Sequence, residues 1–132
     1  MEIAGRMMAE KISKICRRRP LLFLCGPGNN GGDGYVAIKN LVAMGVKKIA
    51  VISGSPRSEL NQQKFSEISK LGLIVHDSET IGETDLRKLL EDHAVIDAVF
   101  GTGGARSVED PWKKIFRIVN KNSKLTISLD IP

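Results

Sequence analysis

The feature that most constrains this chain is an apolar run that leads directly into a cluster of glycines. Leu21 to Cys25 is continuously apolar, which is typical of strands buried on both faces of a parallel sheet. Five glycines then fall between Gly26 and Gly34. A simple turn does not need so many, and glycine allows the backbone to approach a ligand closely. The pattern therefore predicts a binding loop at the end of a buried strand.

The alternation of apolar strands with helical periodicity continues along the chain. A helix is expected over residues 2–18, and further strands over 48–53, 73–75, 94–100 and 125–130. Helices are expected between the strands: one ending near Gly45, one over 61–71, one capped by Thr84, and one capped by Asp110 with Pro111 as its first residue. This order predicts an α/β fold, namely a doubly wound, Rossmann-like and mainly parallel sheet with helices on both faces, as one domain over residues 1–132.

Composition excludes several classes of protein. Apolar residues make up 42% and charged residues 27%, as a folded chain requires. No apolar stretch approaches the ~18 residues of a membrane span. The two cysteines, Cys16 and Cys25, form no CxxC pair, and we interpret them as reduced core thiols. With no signal peptide at the start, the expectation is a cytoplasmic protein without a membrane partner.

Charge is distributed unevenly between the two halves. Residues 1–66 carry 11 Lys or Arg against 4 Asp or Glu, a net +7, whereas residues 67–132 carry 9 against 11, a net −2. The first half therefore presents either a solvated basic face or a surface for a polyanion, such as phosphate groups or RNA. Aromatic residues are only 5% of the chain, which makes stacking on nucleic acid unlikely as the main function.

Gly26 to Gly31 matches GxGxxG, but two features argue against an ordinary dinucleotide site. Asp33 stands at the predicted helix start, where it would repel a pyrophosphate. The strand over 48–53 ends in Ser53 and provides no acidic residue for a ribose. Asp33 has an alternative role as a helix N-cap. Asn29 and Asn30 are either turn residues that tolerate left-handed backbone or ligands of a cation.

A second glycine cluster, Gly101, Gly103 and Gly104, follows the strand over 94–100. Two glycine-rich loops at one edge of a sheet predict a single crevice. Asp97 lies within that apolar strand, where a carboxylate needs a partner or a metal, and Asp130 repeats the pattern at the last strand. Oxygen ligands of this kind suit K⁺, Na⁺, Ca²⁺ or Mg²⁺. His76 and His93 lie outside both loops and are interpreted as surface residues.

The motifs together resemble those of a known family. The run from Gly26 to Gly34, with its Asn29-Asn30-Gly31-Gly32-Asp33 core, resembles the signature loop of the YjeF N-terminal domain family, the NAD(P)HX epimerases. Met1-Glu2 with Ala4-Gly5-Arg6 resembles the opening of the family's helix, usually Met-Glu-Asn-Ala-Gly, with Ile3 in place of the asparagine. Asp97 to Gly103 and Asp130-Ile131-Pro132 resemble the second and third motifs. They follow in family order over nearly the whole chain.

The resemblance implies an isomerase, NAD(P)H-hydrate epimerase. It would interconvert the R and S epimers of hydrated NADH and NADPH so that an ADP- or ATP-dependent dehydratase, fused or separate, restores the cofactor. It implies a homodimer with one K⁺ per subunit bound by Asn30 and Asp97, and Asp130 as the catalytic acid/base in contact with the substrate. The other substrate contacts that it implies are Asn29, Asn30, Gly31, Gly32, Asp33, Gly101, Thr102, Gly103, Gly104, Ala105, Arg106 and Ser107.

The chain also departs from the family pattern. Leu-Arg-Gly-Pro commonly follows Gly-Thr-Gly, whereas this chain has Gly104-Ala105-Arg106-Ser107, which moves the basic residue by one position. The family's first helices, its C-terminal strands and the serine K⁺ ligand after Asp-Ile-Pro are expected to be missing from residues 1–132. An alternative function is a non-catalytic scaffold that dimerises and binds RNA or protein. The retained Asn30, Asp33, Asp97 and Asp130 favour the enzyme, because a scaffold has no use for a buried cation site.

Overall fold

The computed structural model describes residues 2–55, 57–100 and 109–129. Five helices and five strands occur in this part of the chain: α1 (Glu2–Cys16), β1 (Leu21–Cys25), α2 (Asn29–Ala43), β2 (Ile49–Ser53), α3 (Glu59–Ser69), β3 (Ile74–Asp77), α4 (Glu83–Leu90), β4 (Ala94–Ala98), α5 (Trp112–Asn122) and β5 (Thr126–Ser128). All strand pairs are parallel and the order across the sheet is β3-β2-β1-β4-β5. The predicted α/β fold with a parallel sheet is confirmed.

Helices cover both faces of the sheet. Alternate strand residues such as Phe23, Val51 and Ile96 pack with α1, α2 and α3, whereas Leu24 and Ile52 pack with α4 and α5. The chain changes face after β3, and β4 then pairs with β1 on the side opposite β2. In doubly wound sheets, ligands bind at such a switch point, outside the carboxyl ends of the strands. The fold therefore places the candidate site at the carboxyl ends of β1 and β4.

The start of α2 differs from the sequence prediction. The helix begins at Asn29 with Gly28 as its N-cap, so most of the glycine cluster is helical. Interpreting Asp33 as the N-cap is therefore wrong, because this residue lies beyond the first turn. Asn29 and Asn30 are not left-handed turn residues either, since Arg17 is the only non-glycine residue with positive φ in the described chain. The sequence predicts a loop over these glycines, whereas Gly31 and Gly34 lie in the helix and allow it to pack closely on the sheet.

Three other helices begin earlier or later than expected. Ser58 caps α3, so the helix starts at Glu59 instead of Asn61. Gly82 caps α4 in place of Thr84, with Glu83 and Asp85 in the first turn, where acidic side chains complement the helix dipole. Pro111 is the N-cap of α5 and not its first helical residue. Each difference arises from local backbone geometry that residue type alone does not determine.

The sequence predicts that both histidines are surface residues, but they are only partly exposed. His76 and His93 are half-buried and line a cavity of about 470 Å³ together with Lys47, Lys48 and Asp92. Lys48 precedes β2 and His93 precedes β4, so this cavity lies at the amino edge of the sheet. It is therefore separate from the carboxyl edge, where the glycine cluster lies.

No helix in the described part of the chain is long and apolar enough to cross a membrane. Cys16 and Cys25 are buried free thiols, in agreement with the sequence prediction. Burial raises the pKa of Cys25 far above its ordinary value, so this thiol stays protonated and packs as an apolar group.

Candidate functional site

The chain leaves β1 and β4 side by side at the carboxyl edge of the sheet. Cys25 is in register with Ala98, and the next N–H, that of Gly26, donates to the carbonyl of Ala98 at 3.1 Å. A Cβ on Gly26 would lie 2.5 Å from the carbonyl oxygen of Val99. Only glycine allows this approach of two backbones. The predicted second cluster follows Phe100 but, from Gly101 to Ser107, lies outside the described residues.

Two further glycines hold the start of α2 against the sheet. A Cβ on Gly31 would overlap the carbonyl oxygen of Gly26. A Cβ on Gly34 would lie 2.8 Å from Ala98 Cβ and 3.0 Å from Cys25 Sγ. Gly28 differs, because nothing lies within 4 Å of its Cβ position. Gly31 and Gly34 thus serve packing, whereas Gly28 leaves open space at the tip of the helix.

The N-terminus of α2 has no internal cap. Gly28 offers no side chain, and the first turn contains no acidic residue. The first N–H groups of a helix lack intrahelical partners, and the helix dipole makes this end partly positive. Such an end binds anions, phosphate groups above all. Asp33 lies one turn further on and is half-buried, and its burial raises its pKa. It therefore lies behind the helix start and not at it.

The carbonyl groups of the loop are all bound by α3. Asn61 Nδ2 donates to the carbonyl oxygens of Gly26 at 2.9 Å and Gly28 at 2.6 Å, and the Ser58 N–H donates to that of Pro27 at 3.0 Å. Asn61 is 0% exposed. Sequence reasoning missed it because its neighbours are polar. Its helical spacing from Phe65 and Ile68, which places an amide on the apolar face of α3, is the signal that would have identified it.

Asp97 is the second-last residue of β4. Strand alternation directs its side chain with Val95 and Val99, towards the layer of α4 and α5. Its Oδ1 accepts a hydrogen bond from the Val99 N–H at 3.0 Å. Burial raises the pKa of Asp97, and the hydrogen bond from Val99 opposes this shift. Asp97 is thus a half-buried carboxylate with one oxygen held and the second without a partner among the described residues.

The end of β5 also meets Asp97. The Leu129 N–H donates to the backbone carbonyl of Asp97 at 2.7 Å, so the chain at residue 129 runs beside the end of β4. Asp130, the predicted acid/base, is the next residue and lies outside the described part. Leu129, the last described residue, therefore lies at the same edge of the sheet as the glycine loop.

Asn30 is the second predicted cation ligand. It lies in the first turn of α2 and is half-buried, and its Nδ2 atom is buried without a partner among the described residues. Because the two ends of an amide are assigned by their hydrogen bonds, an amide without one can also present its oxygen. Amide and carboxylate oxygens are the donor set of a hard cation. Asn30 and Asp97 therefore suit K⁺ chemically, and their sharing one ion stays a prediction.

Aromatic side chains lie at the carboxyl edge of the sheet, on the face that α4 and α5 cover. A Cβ on Gly54, the residue after β2, would lie 3.1 Å from Trp112 Cζ2 and 3.3 Å from Pro27 Cδ. The rings of Trp112 and Phe116 are 6.2 Å apart between centroids, and those of Phe116 and Phe100 6.3 Å. Trp112 thus lies over the ends of the central strands, close to the glycine loop.

The end of β2 contains hydroxyl groups and a guanidinium. Ser53 Oγ lies 2.7 Å from Tyr35 Oη and accepts from Arg57 Nη2 at 2.7 Å, and Arg57 stacks on Phe65 with its Cζ atom 3.7 Å from the ring centroid. Burial raises the pKa of Tyr35 to about 12, which keeps the phenol neutral. The absence of an acidic residue at this strand end agrees with the sequence argument against an ordinary NAD site.

These features define a class of protein before they define a family: a Rossmann-like α/β domain whose candidate site lies at the β1/β4 switch point. The family model described as YjeF-related protein N-terminus matches residues 1–132. The chain belongs to this family.

Several curated proteins resemble the chain. A bifunctional NAD(P)H-hydrate repair enzyme, Nnr, of Dictyoglomus turgidum is 38% identical over 128 residues, which cover 95% of this chain and 24% of that protein. An NAD(P)H-hydrate epimerase of Rhodopirellula baltica is 30% identical over 100% of this chain and 54% of its own length. The crystal structure of a yeast protein, ynu0, superposes with a TM-score of 0.83 at 25% identity, covering 100% of this chain and 59% of that one. The chain thus spans about half the length of the curated epimerases that it matches.

Proposed function

We propose that the protein containing this chain is an NAD(P)H-hydrate epimerase, which interconverts the R and S epimers of hydrated NADH and NADPH. The observation that carries the proposal is a start of α2 without a side-chain cap at the same switch point of the sheet as the half-buried Asp97 near the end of β4. Such a site combines an anion-binding helix end with oxygen ligands. The names of the relatives supply the substrate class.

The reaction needs modest chemistry from the protein. The hydrated ring carbon bears a hydroxyl and the ring nitrogen, so loss of water leaves a flattened cation stabilised by the nitrogen lone pair. We propose that Asp130 donates a proton to the departing hydroxyl and accepts one from the water that returns to the other face. One carboxyl group thus serves both directions, and the proton balance closes after each cycle.

The remaining chain would hold the substrate. The N–H groups at the start of α2, from Asn29 to Gly31, suit the pyrophosphate, and the segment from Gly101 to Ser107, with Arg106, would complete the contacts. We assign K⁺ to Asn30 and Asp97, where a bound cation would supply positive charge that orients the substrate and Asp130. The protein would act in the cytoplasm as a homodimer, with a dehydratase domain or partner that consumes the S epimer.

The decisive experiment follows R-to-S conversion of NADHX by the complete protein, with and without K⁺, after subtraction of the uncatalysed rate. Asp130→Asn should lower the rate by roughly 10²–10⁴-fold while leaving binding intact, because an amide cannot exchange a proton at neutral pH. Asp77→Asn is the matched control, since Asp77 is an exposed carboxylate at the end of the edge strand β3. Wild-type turnover by Asp130→Asn would show that Asp130 is structural.

The alternative is a scaffold that binds RNA or protein, and the net charge of +7 in residues 1–66 is the observation in its favour. A complete protein that never epimerises NADHX, but binds RNA with a salt-dependent affinity, would replace the enzyme by the scaffold.

A further inference from the structure

We infer that Asn61 is a positioning residue, which holds the carbonyl groups of the glycine loop so that the loop's N–H groups face the ligand. The inference rests on the proposed function, in which this loop binds the dinucleotide. It adds a residue outside the motifs by which the family is recognised, from the first turn of α3.

Three consecutive carbonyl groups point towards α3. Those of Gly26 and Gly28 accept from the Asn61 amide, and that of Pro27 accepts from the Ser58 N–H. In a trans peptide, the N–H of one residue points opposite to the carbonyl of the residue before it. The N–H groups of Gly28 and Asn29 therefore point away from α3. Neither has an acceptor within the described part of the chain, and Pro27 has no N–H to orient.

Only the amide of Asn61 can hold both carbonyls. An NH₂ group provides two donors, whereas a carboxylate provides none. The two carbonyl acceptors also determine which end of the amide is nitrogen, which leaves Asn61 Oδ1 buried without a partner among the described residues. An apolar side chain here would remove that unpaired oxygen but leave the Gly26 carbonyl without its donor and the Gly28 carbonyl with the Gly32 N–H alone. The geometry thus favours an amide that is imperfectly satisfied but correctly placed.

Asn61 also supports the tightest contact of the site. A Cβ on Gly31 would lie 2.9 Å from Asn61 Nδ2 and would overlap the Gly26 carbonyl oxygen. The amide therefore lies between the loop and the first turn of α2. Shortening residue 61 would open space on one side of Gly31 and release the loop that leads into the helix.

The test compares Asn61→Ala with Gln63→Gly in the complete protein. Gln63 is an exposed residue in the middle of α3, so Gln63→Gly lowers the helix propensity and serves as a control for general weakening of α3. Amide hydrogen exchange is measured by NMR at Gly32, whose N–H donates to Gly28, and at Leu86, whose N–H donates to Gly82 in the corresponding turn of α4.

Asn61→Ala should speed exchange at Gly32 by about tenfold or more while leaving Leu86 unchanged, and should lower kcat/KM by roughly 10²-fold, mainly through KM. Gln63→Gly should change neither the Gly32 rate nor kcat/KM. Asn61→Ser, which keeps one donor, should give an intermediate loss and carries the test if Asn61→Ala does not fold.

A parallel rise at Gly32 and Leu86, or an unchanged kcat/KM, would overturn the inference and make Asn61 a residue of general stability. If the wild-type protein fails to epimerise NADHX but the local change at Gly32 appears, the proposed function fails and the positioning role stands.

Discussion

Two neighbouring helices, α2 and α3, begin at the same edge of the sheet and treat their first turns in opposite ways. Ser58 caps α3 with its side chain, which accepts from the Asn61 N–H at 3.2 Å, and Glu59 complements the dipole. Gly28 caps α2 without a side chain, and no acidic residue follows in the first turn. One helix start is satisfied from within, and the other is left open.

The difference assigns each helix a role. Because the Ser58 side chain caps α3, the Asn61 amide and the Ser58 N–H are available to bind the loop carbonyls. Because α2 does not, its N–H groups are available to a ligand, at some cost in stability without one. Support and binding are thus divided between two helix ends that start from adjacent strands, β1 and β2.

The largest effect should come from closing the gap between α2 and the sheet. Gly31→Ala places a Cβ on the Gly26 carbonyl oxygen, and we expect a loss of roughly 1–3 kcal/mol in the free energy of unfolding, despite the better helix propensity of alanine. Gly28→Ala meets nothing within 4 Å and should change stability little. Urea denaturation of both variants measures the contrast. Equal stabilities would show that the two glycines are equivalent and that the packing argument is wrong.

The second effect comes from giving α2 the kind of cap that α3 has. Gly28→Asp should stabilise the helix start by a few tenths of a kcal/mol. Its carboxylate would also occupy and repel an anion site, and should weaken binding of NAD⁺, a stable dinucleotide, by about 5–30-fold. Calorimetric titration measures this affinity, with Gly28→Ala as the uncharged control. An unchanged affinity for the aspartate variant would place the pyrophosphate away from the start of α2.

The converse change, removal of the cap of α3, should affect stability alone. Ser58→Ala should cost about 1 kcal/mol and lower the Tm by roughly 4 °C, because the Asn61 N–H loses its acceptor. Affinity for NAD⁺ should stay the same, since the backbone bond from residue 58 to Pro27 remains. Thermal unfolding and the same calorimetric titration measure the two quantities. A large loss of affinity would mean that the two helix starts are not independent.

The smallest effect concerns Asp97 and pH. Burial raises the pKa of Asp97 in the folded state. Between the unfolded and the folded pKa values, the folded chain therefore holds a proton that the unfolded chain has already released. This contribution to stability is fully present below the unfolded pKa of about 3.9 and is lost as the pH rises through the folded value. Asp97→Asn should therefore be more stable than wild type at neutral pH when K⁺ is absent, with the gap closing towards pH 3.

Denaturation curves at several pH values test the sign of this effect. Added K⁺ should stabilise the wild type and not the asparagine variant if Asp97 is a cation ligand. If the wild type is more stable than Asp97→Asn at neutral pH without K⁺, the burial argument is wrong.

The sequence predicted the fold better than it predicted the site. β1 was placed correctly at Leu21–Cys25, because a strand buried on both faces has an unbroken apolar pattern. The start of α2 was misplaced because glycine is read as a loop former, and its packing role at Gly31 depends on a carbonyl five residues earlier in a loop whose path sequence does not reveal. Asn61 was missed because its immediate neighbours are polar. Its helical spacing from Phe65 and Ile68 indicates a buried amide, but not that the glycine loop lies against it.

The pairing of β1 with β4 has a consequence for how the crevice is made in the cell. Leu21 pairs with Ala94, so the glycine loop is synthesised long before the strand on which it packs. At about 5–20 residues per second, β4 emerges from the ribosome roughly 4–15 s after β1. During that interval the apolar run of Leu21–Cys25 lacks one of its two neighbouring strands, and Gly26 has no Val99 carbonyl beside it. This edge of the sheet therefore assembles only after β4 has emerged, and a nascent chain that stalls before residue 98 would display the apolar strand β1 with one edge open.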